Sequence, residues 1–498
     1  MKKTNTMYRT LLISVLFVLS GVLGFFCQML FARTFGSEAQ MDLYFTILSI
    51  PSIITGITPT IFTSLFIPEL ASLNENQIGI YIENIKKTIV FVSFFLSLFG
   101  CVVMLLFLDN IFNVEQYGLR ETGIVLCITL WVNTFFSIIN GFLSCIQNYY
   151  KRYYIVATVP LLTYIFNILF VILVGKHIGV IAIGYSMALA AMTQFLLYLL
   201  LSRRIYVLNC CDDSFNISKK NLLTKVVLIS ISLLPFTCFG TISYQWASLL
   251  QEGAVCYLGY SHSFSGFISV ATSMGLATTT FPEIAKSFQS KDQKIIEGTI
   301  IQFERTIYIV LIFNSVIGSF FIANVYDILE FLFKGRMFTE QDVMDLSSVL
   351  PFYIVGGILI STLNLCRNIF YSTKQLGSLS IITGLSTLSF LILSKYLGSS
   401  VSFKSIGEVE NTILLVILFA VLIFFRNKYK CFNLSFYFKS VIIICLTISM
   451  AQFVRFCVNI CCIQNTIICI FINGIIYIIL IYPILIYIFK IKEFKIIK

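Results

Sequence analysis

The chain alternates between long runs without formal charge and short polar joints. The first run, Thr10 to Ala32, holds 23 residues without a charged side chain. About 20 mainly apolar residues cross a bilayer as a helix. Further runs cover 43–68, 88–108, 122–150, 153–175, 178–202, 226–251, 253–282, 306–326, 346–366 and 375–394. A shorter one at 411–425 has Glu408 and Glu410 crowding its start, and two more lie near 433–454 and 466–489. The pattern predicts an all-α integral membrane protein with about 14 transmembrane helices. The first run is too long for the core of a signal peptide and lacks a small-residue cleavage site, so it reads as a retained span.

Composition agrees with the pattern. The 498 residues are 58% hydrophobic and 11% charged, against about a quarter charged in soluble domains. The mean hydropathy is +0.93. The joints between runs are too short to fold alone, so any function must lie within the bundle or at its mouths. The formal net charge of +11 could suggest nucleic acid, but no basic patch interleaved with aromatics sits on a soluble segment. Lys and Arg instead concentrate in cytoplasmic loops of membrane proteins. With the N-terminus placed inside, alternate joints receive 26 of the 34 Lys and Arg on the inner side and 8 on the outer. Both termini are therefore expected in the cytoplasm.

A short repeat appears. Ile67-Pro68-Glu69-Leu70-Ala71 follows the second run, and Phe281-Pro282-Glu283-Ile284-Ala285 follows the eighth, 214 residues later. Six intervening runs put both on the same side of the membrane. Parallel repeats of this kind are a transporter architecture. The expected organisation is a six-helix lobe over 1–204, a second over 205–430, and two additional helices over 431–498.

Polar residues inside spans are the candidates for function. His262, in Gly259-Tyr260-Ser261-His262-Ser263, either lines a polar cavity or makes one hydrogen bond between helices. Gln28 and Gln245 occupy the first and seventh runs, which the repeat makes equivalent, and with Asn364 they are candidates to line a transport cavity or to bind helices together. Arg33 and Asp42 bracket the first outer joint, as an ion pair, a helix-end contact or an outer gate. Glu69 and Glu283 are expected as solvated helix ends or as an inner gate. Catalytic signatures are missing: the sequence has no His-Glu-x-x-His, Walker A loop or nucleophile elbow. Without a Cys-x-x-Cys pair, no metal site is expected. The chain reads as a non-enzyme without a cofactor.

Three segments resemble the MurJ/MviN lipid II flippases, of the MOP exporter superfamily. The first is Phe31-Ala32-Arg33-Thr34-Phe35-Gly36 with Met41-Asp42-Leu43-Tyr44-Phe45, Ile50-Pro51 and Phe66-Ile67-Pro68. The second runs from Ala247-Ser248 through Glu252-Gly253-Ala254-Val255, Leu258 and Tyr260 to Pro282. The third joins Leu332-Phe333-Lys334-Gly335-Arg336-Met337-Phe338-Thr339 and Asp342 to Asn368-Ile369-Phe370-Tyr371-Ser372.

The resemblance implies two six-helix lobes plus two C-terminal helices. It also implies alternating access for a polyprenyl-pyrophosphate-linked sugar in a bacterial cytoplasmic membrane. Its partners would be that lipid-linked oligosaccharide, membrane lipids and cell-envelope glycosyltransferases, with no nucleic acid. Where the family carries cavity arginines, this sequence has Gly21, Cys27 and Ser263. Where some members carry an acidic residue in the seventh helix, it has Ser243. The leading expectation is therefore a flippase for lipid II or a related lipid-linked glycan. The alternatives are a surface-polysaccharide unit flippase, a small-molecule exporter or a non-transporting scaffold.

Overall fold

A computed structural model describes residues 2–73, 75–111, 118–202, 219–269, 287, 293–373, 375–398, 402–429, 434–460 and 466–483. Its long helices are α1 (Lys2–Phe35), α2 (Ala39–Ser72), α3 (Glu75–Leu106), α4 (Arg120–Tyr149), α5 (Tyr153–Leu173), α6 (Ile181–Ser202) and α7 (Lys219–Ala247). They continue as α8 (Ala254–Ser269), α9 (Gln293–Ala323), α10 (Glu340–Ser372), α11 (Leu376–Leu397), α12 (Phe403–Tyr429), α13 (Leu434–Ile460) and α14 (Thr466–Pro483). These occupy the fourteen runs read from the sequence. Eleven are long and apolar enough to cross a membrane among the described residues; α8 is shorter there, and α13 and α14 offer the shorter apolar segments Ile442–Val458 and Ile468–Pro483. The Phe281–Ala285 copy of the repeat, with Glu283, lies outside the described residues.

Local chemistry sets the boundaries. Pro160 separates the two helical pieces of α5, Tyr153–Thr158 and Leu161–Leu173, because its ring cannot donate the next backbone bond. Pro235 and Pro351 lie inside α7 and α10 without ending them. Thr339 and Asp342 form a capping box that starts α10. The run at 411–425 proves to be part of a 27-residue helix beginning at Phe403. Glu410 does not interrupt it, because that side chain turns into the bundle and is buried.

Packing repeats through the chain. In the first half α1 packs on α5, α2 and α3 on α4, α4 on α6, and α5 on α6. The same five pairings recur six helices later: α7 on α11, α8 and α9 on α10, α10 on α12, and α11 on α12. The two sets meet where α2 touches α7 and α8, and where α1 touches α8. Small residues permit the closest approaches. A Cβ on Gly259 of α8 would stand 2.6 Å from the Phe45 ring of α2, and one on Gly357 of α10 would stand 2.9 Å from the Ser265 carbonyl of α8.

The two last helices dock on α9 as a separate small core that includes Ile312, Ala451, Val454 and Tyr477. Tyr477 bonds Ser319 at 2.7 Å, Asn473 donates to Asn324 at 2.9 Å, and Arg455 pairs with Asp327 at 3.1 Å. The outward faces are apolar. Phe91, Phe95 and Phe99 on α3, Ile381, Leu385 and Leu388 on α11, and Phe471 and Ile479 on α14 are all exposed. In water such patches drive association; in lipid they meet a matching solvent.

Candidate functional site

The first site closes one end of the bundle, where α1 turns into α2. Asp42 in the first turn of α2 is buried. Its carboxylate accepts the backbone N–H groups of Gly253 and Cys256, each at 2.7 Å. Both belong to the start of α8, so an anionic side chain sits on a helix N-terminus, whose free N–H groups and dipole favour it. Gly253 takes φ +83° in the turn before α8, a conformation glycine adopts without penalty.

Asp342 mirrors this arrangement from α10. It accepts from Ser37 Oγ at 2.5 Å and Tyr257 Oη at 2.7 Å while holding the Thr339 N–H at 2.6 Å. The Glu252 carboxylate accepts the Ala39 N–H at 3.1 Å, and the Gly36 carbonyl accepts the Tyr260 hydroxyl at 3.2 Å. Two carboxylates from the second half, Glu252 and Asp342, thus grip the α1–α2 turn of the first, and Asp42 of α2 grips the start of α8 in return. Arg33 is exposed and donates to the Phe331 carbonyl at 2.7 Å, so it braces this end through the helix Val325–Phe333 rather than pairing with Asp42.

A second polar cluster lies inside the second half. Glu410 of α12 is buried and accepts from Ser243 Oγ of α7 at 3.0 Å. His262 Nε2 of α8 stands 3.6 Å from the same carboxylate oxygen. The Tyr353 ring of α10 is 4.5 Å from the imidazole, centroid to centroid, and the Tyr244 ring of α7 is 5.5 Å away.

The remaining candidates do not join either group. Gln28 is half-buried on α1, and its side-chain carbonyl is buried without a hydrogen-bond partner. Gln245 is exposed near the end of α7, and Asn364 is half-buried on α10. Glu69 accepts the Tyr81 hydroxyl of α3, a contact inside the first half. The positions where the resemblance led one to look for arginines are packed. Gly21 faces Phe267, and Cys27 donates to the Tyr164 carbonyl at 3.5 Å. Ser263 returns its hydroxyl to the Gly259 carbonyl of its own helix.

Sequence reasoning passed over two residues. Glu410 read only as a flaw in the twelfth run, although a carboxylate inside a span is itself a signal. Arg367 on α10 falls one residue beyond the tenth apolar run, where it reads as part of a polar joint. It is half-buried, its guanidinium lies over the Phe236 ring at 5.0 Å, and its Nε is buried without a hydrogen-bond partner.

Comparison with known proteins adds a family and a fold. The family model for the lipid II flippase MurJ matches residues 31–482. A probable lipid II flippase MurJ of Buchnera aphidicola subsp. Baizongia pistaciae is 21% identical over 426 residues, 79% of each chain. The lipid II flippase MurJ of Burkholderia cenocepacia is 23% identical over 436 residues, 82% of this chain and 83% of that one. A solved structure of lipid II flippase MurJ in an inward closed conformation has the same fold. Its TM-score is 0.75 at 16% identity, over 97% of this chain and 100% of that chain.

Proposed function

Because the chain belongs to the lipid II flippase MurJ family, we propose that it carries lipid II, or a closely related polyprenyl-pyrophosphate glycan, across the cytoplasmic membrane by alternating access. The family match favours this over a surface-polysaccharide flippase, a small-molecule exporter or a scaffold. Its partners on this reading are the lipid-linked glycan, the surrounding lipid and the envelope glycosyltransferases that act before or after transport.

The observation that carries the mechanism is the closed α1–α2 end. The excess of Lys and Arg in alternate joints assigns that end to the outer face. Residues 1–204 and 205–430 then act as two lobes whose outer tips are latched by Asp42, Glu252 and Asp342. Charge-assisted hydrogen bonds of this kind are each worth about 1.5–3 kcal/mol, enough to hold the outer mouth shut and few enough to be exchanged in a cycle. Opening outward requires α8 and α10 to leave the α1–α2 turn.

A pyrophosphate head group needs a cation. Arg367 lies 25 residues beyond Asp342 on α10, roughly 37 Å along the helix at 1.5 Å per residue. That places it toward the inner leaflet, where the substrate enters. Its buried, unpartnered Nε leaves hydrogen-bonding capacity for a phosphate oxygen. The aromatic ring beneath it holds the guanidinium in place.

Complementation of a bacterial strain depleted of its own lipid II flippase tests the reading. The chain is expected to restore growth, and Arg367→Ala to lower that rescue at equal membrane abundance. A wild-type chain that reaches the membrane and fails to rescue makes lipid II the wrong substrate.

A further inference from the structure

We propose that Glu410 and His262 form a proton-binding site inside the second lobe, taking up one proton between carboxylate and imidazole. The Glu410 side chain is 4% exposed and that of His262 20%. Four helices surround the pair, and each supplies a group that faces it. Ser243 and Tyr244 come from α7, His262 from α8, Tyr353 from α10 and Glu410 from α12. Tyr44 of α2 extends the set toward Tyr244. On α12 itself Glu408 is exposed, and the ionisable groups of neighbouring α11, Lys395 and Tyr396, are at its C-terminal end, Tyr396 exposed. Among the described residues no Lys or Arg pairs with Glu410.

Charge accounting follows from that arrangement. An ionised Glu410 beside a neutral His262 leaves one uncompensated negative charge in the bundle, which is costly without a partner. One proton, on Nε2 or on the carboxylate, brings the cluster to zero net charge; its release restores the charge and breaks no other bond. The geometry leaves room for that proton. The 3.6 Å separation suits an ion pair and is too long for a formed hydrogen bond. His262 Nε2 is buried without a hydrogen-bond partner, while the Tyr353 hydroxyl sits close enough to interact with Glu410 and Ser243. A hard cation would want about six oxygen ligands. Here an imidazole faces the carboxylate oxygen that Ser243 already engages.

The site is placed to act on the outer latch, a consequence that rests on the flippase reading above. His262 is six residues from Cys256, about 9 Å along α8, and Tyr353 eleven from Asp342, about 16 Å along α10. These are the two helices that Asp42 and Asp342 tie to the first lobe. Binding or losing a proton changes how α8, α10 and α12 pull together, and so biases the latch.

The chain has only two histidines, and the other, His177, is exposed. Full-length protein carrying His177→Gln therefore reports one imidazole by nitrogen NMR in detergent or nanodiscs. The ring signals of His262 are expected to move with pH in a single step that Glu410→Gln displaces and Glu410→Asp alters less. In vesicles, an imposed pH gradient should change the flipping rate severalfold, and Glu410→Gln should remove that dependence while leaving gradient-independent flipping. Signals indifferent to Glu410, or moved by sodium at fixed pH instead of by protons, overturn the proposal. If Glu410→Gln does not fold, the Glu410→Asp step decides: an unchanged step also overturns it. The proton step without any lipid flipping would sink the flippase reading and leave this site standing.

Discussion

At the residue scale, the chain places carboxylates where they can accept several donors at once. Asp42 takes two backbone N–H groups from the start of α8, and Asp342 takes two hydroxyls and a backbone N–H. Asp42→Ala removes both acceptors and leaves buried N–H groups unpaired. Stability of the closed outer end should fall by about 3 kcal/mol, roughly a hundredfold shift in population. Probe-pair distance measurements between Ser37 and Gln341 would read this as a larger outward-open fraction; an unchanged distance distribution would remove Asp42 from the latch. Asp42 was visible in the sequence because it sits in a polar joint between two apolar runs. Its partners were not: backbone N–H groups carry no residue identity, so nothing in the letters Gly253 and Cys256 announces them. Glu410 was missed for the opposite reason. Its letter was plain, but one-dimensional hydropathy scores a buried carboxylate as an interruption of a span.

At the element scale, the helices were legible because lipid demands long apolar runs and internally satisfied backbone. The fourteen runs and the helices agree to within a turn or two at most ends. The third and ninth depart most, starting at Glu75 and Gln293, and the twelfth is extended at its start by Phe403 to Glu410. How the last two helices attach was not legible, because Asp327, Asn324 and Ser319 belong to distant parts of the chain. Arg455 donates to the Ala323 carbonyl and pairs with Asp327, so it pins α13 to the end of α9. Arg455→Ala is expected to cost about 1–2 kcal/mol. Hydrogen exchange should quicken in α13 and α14 and stay unchanged in α2 and α4. Uniform quickening across the bundle would mean that the two helices are integral to the main core.

At the scale of the whole molecule, two six-helix sets with the same internal pairings meet along α2, α7 and α8. One five-residue motif in the sequence suggests a repeat, and the helix pairings recur six helices apart among the described residues. Packing survives substitution of one apolar residue for another, so the likeness of the halves outlasts the likeness of their letters. On the proposed function, the latch is one state of an alternating-access cycle: tips joined at the α1–α2 end, substrate entering from the opposite side. The most direct test of that account uses the purified full-length chain in sealed vesicles with lipid II in one leaflet. Lipid II should reach the opposite leaflet much faster than in protein-free vesicles, and a short cross-link joining positions 37 and 342 should stop it. Transfer no faster than in protein-free vesicles, by folded protein, would contradict the account.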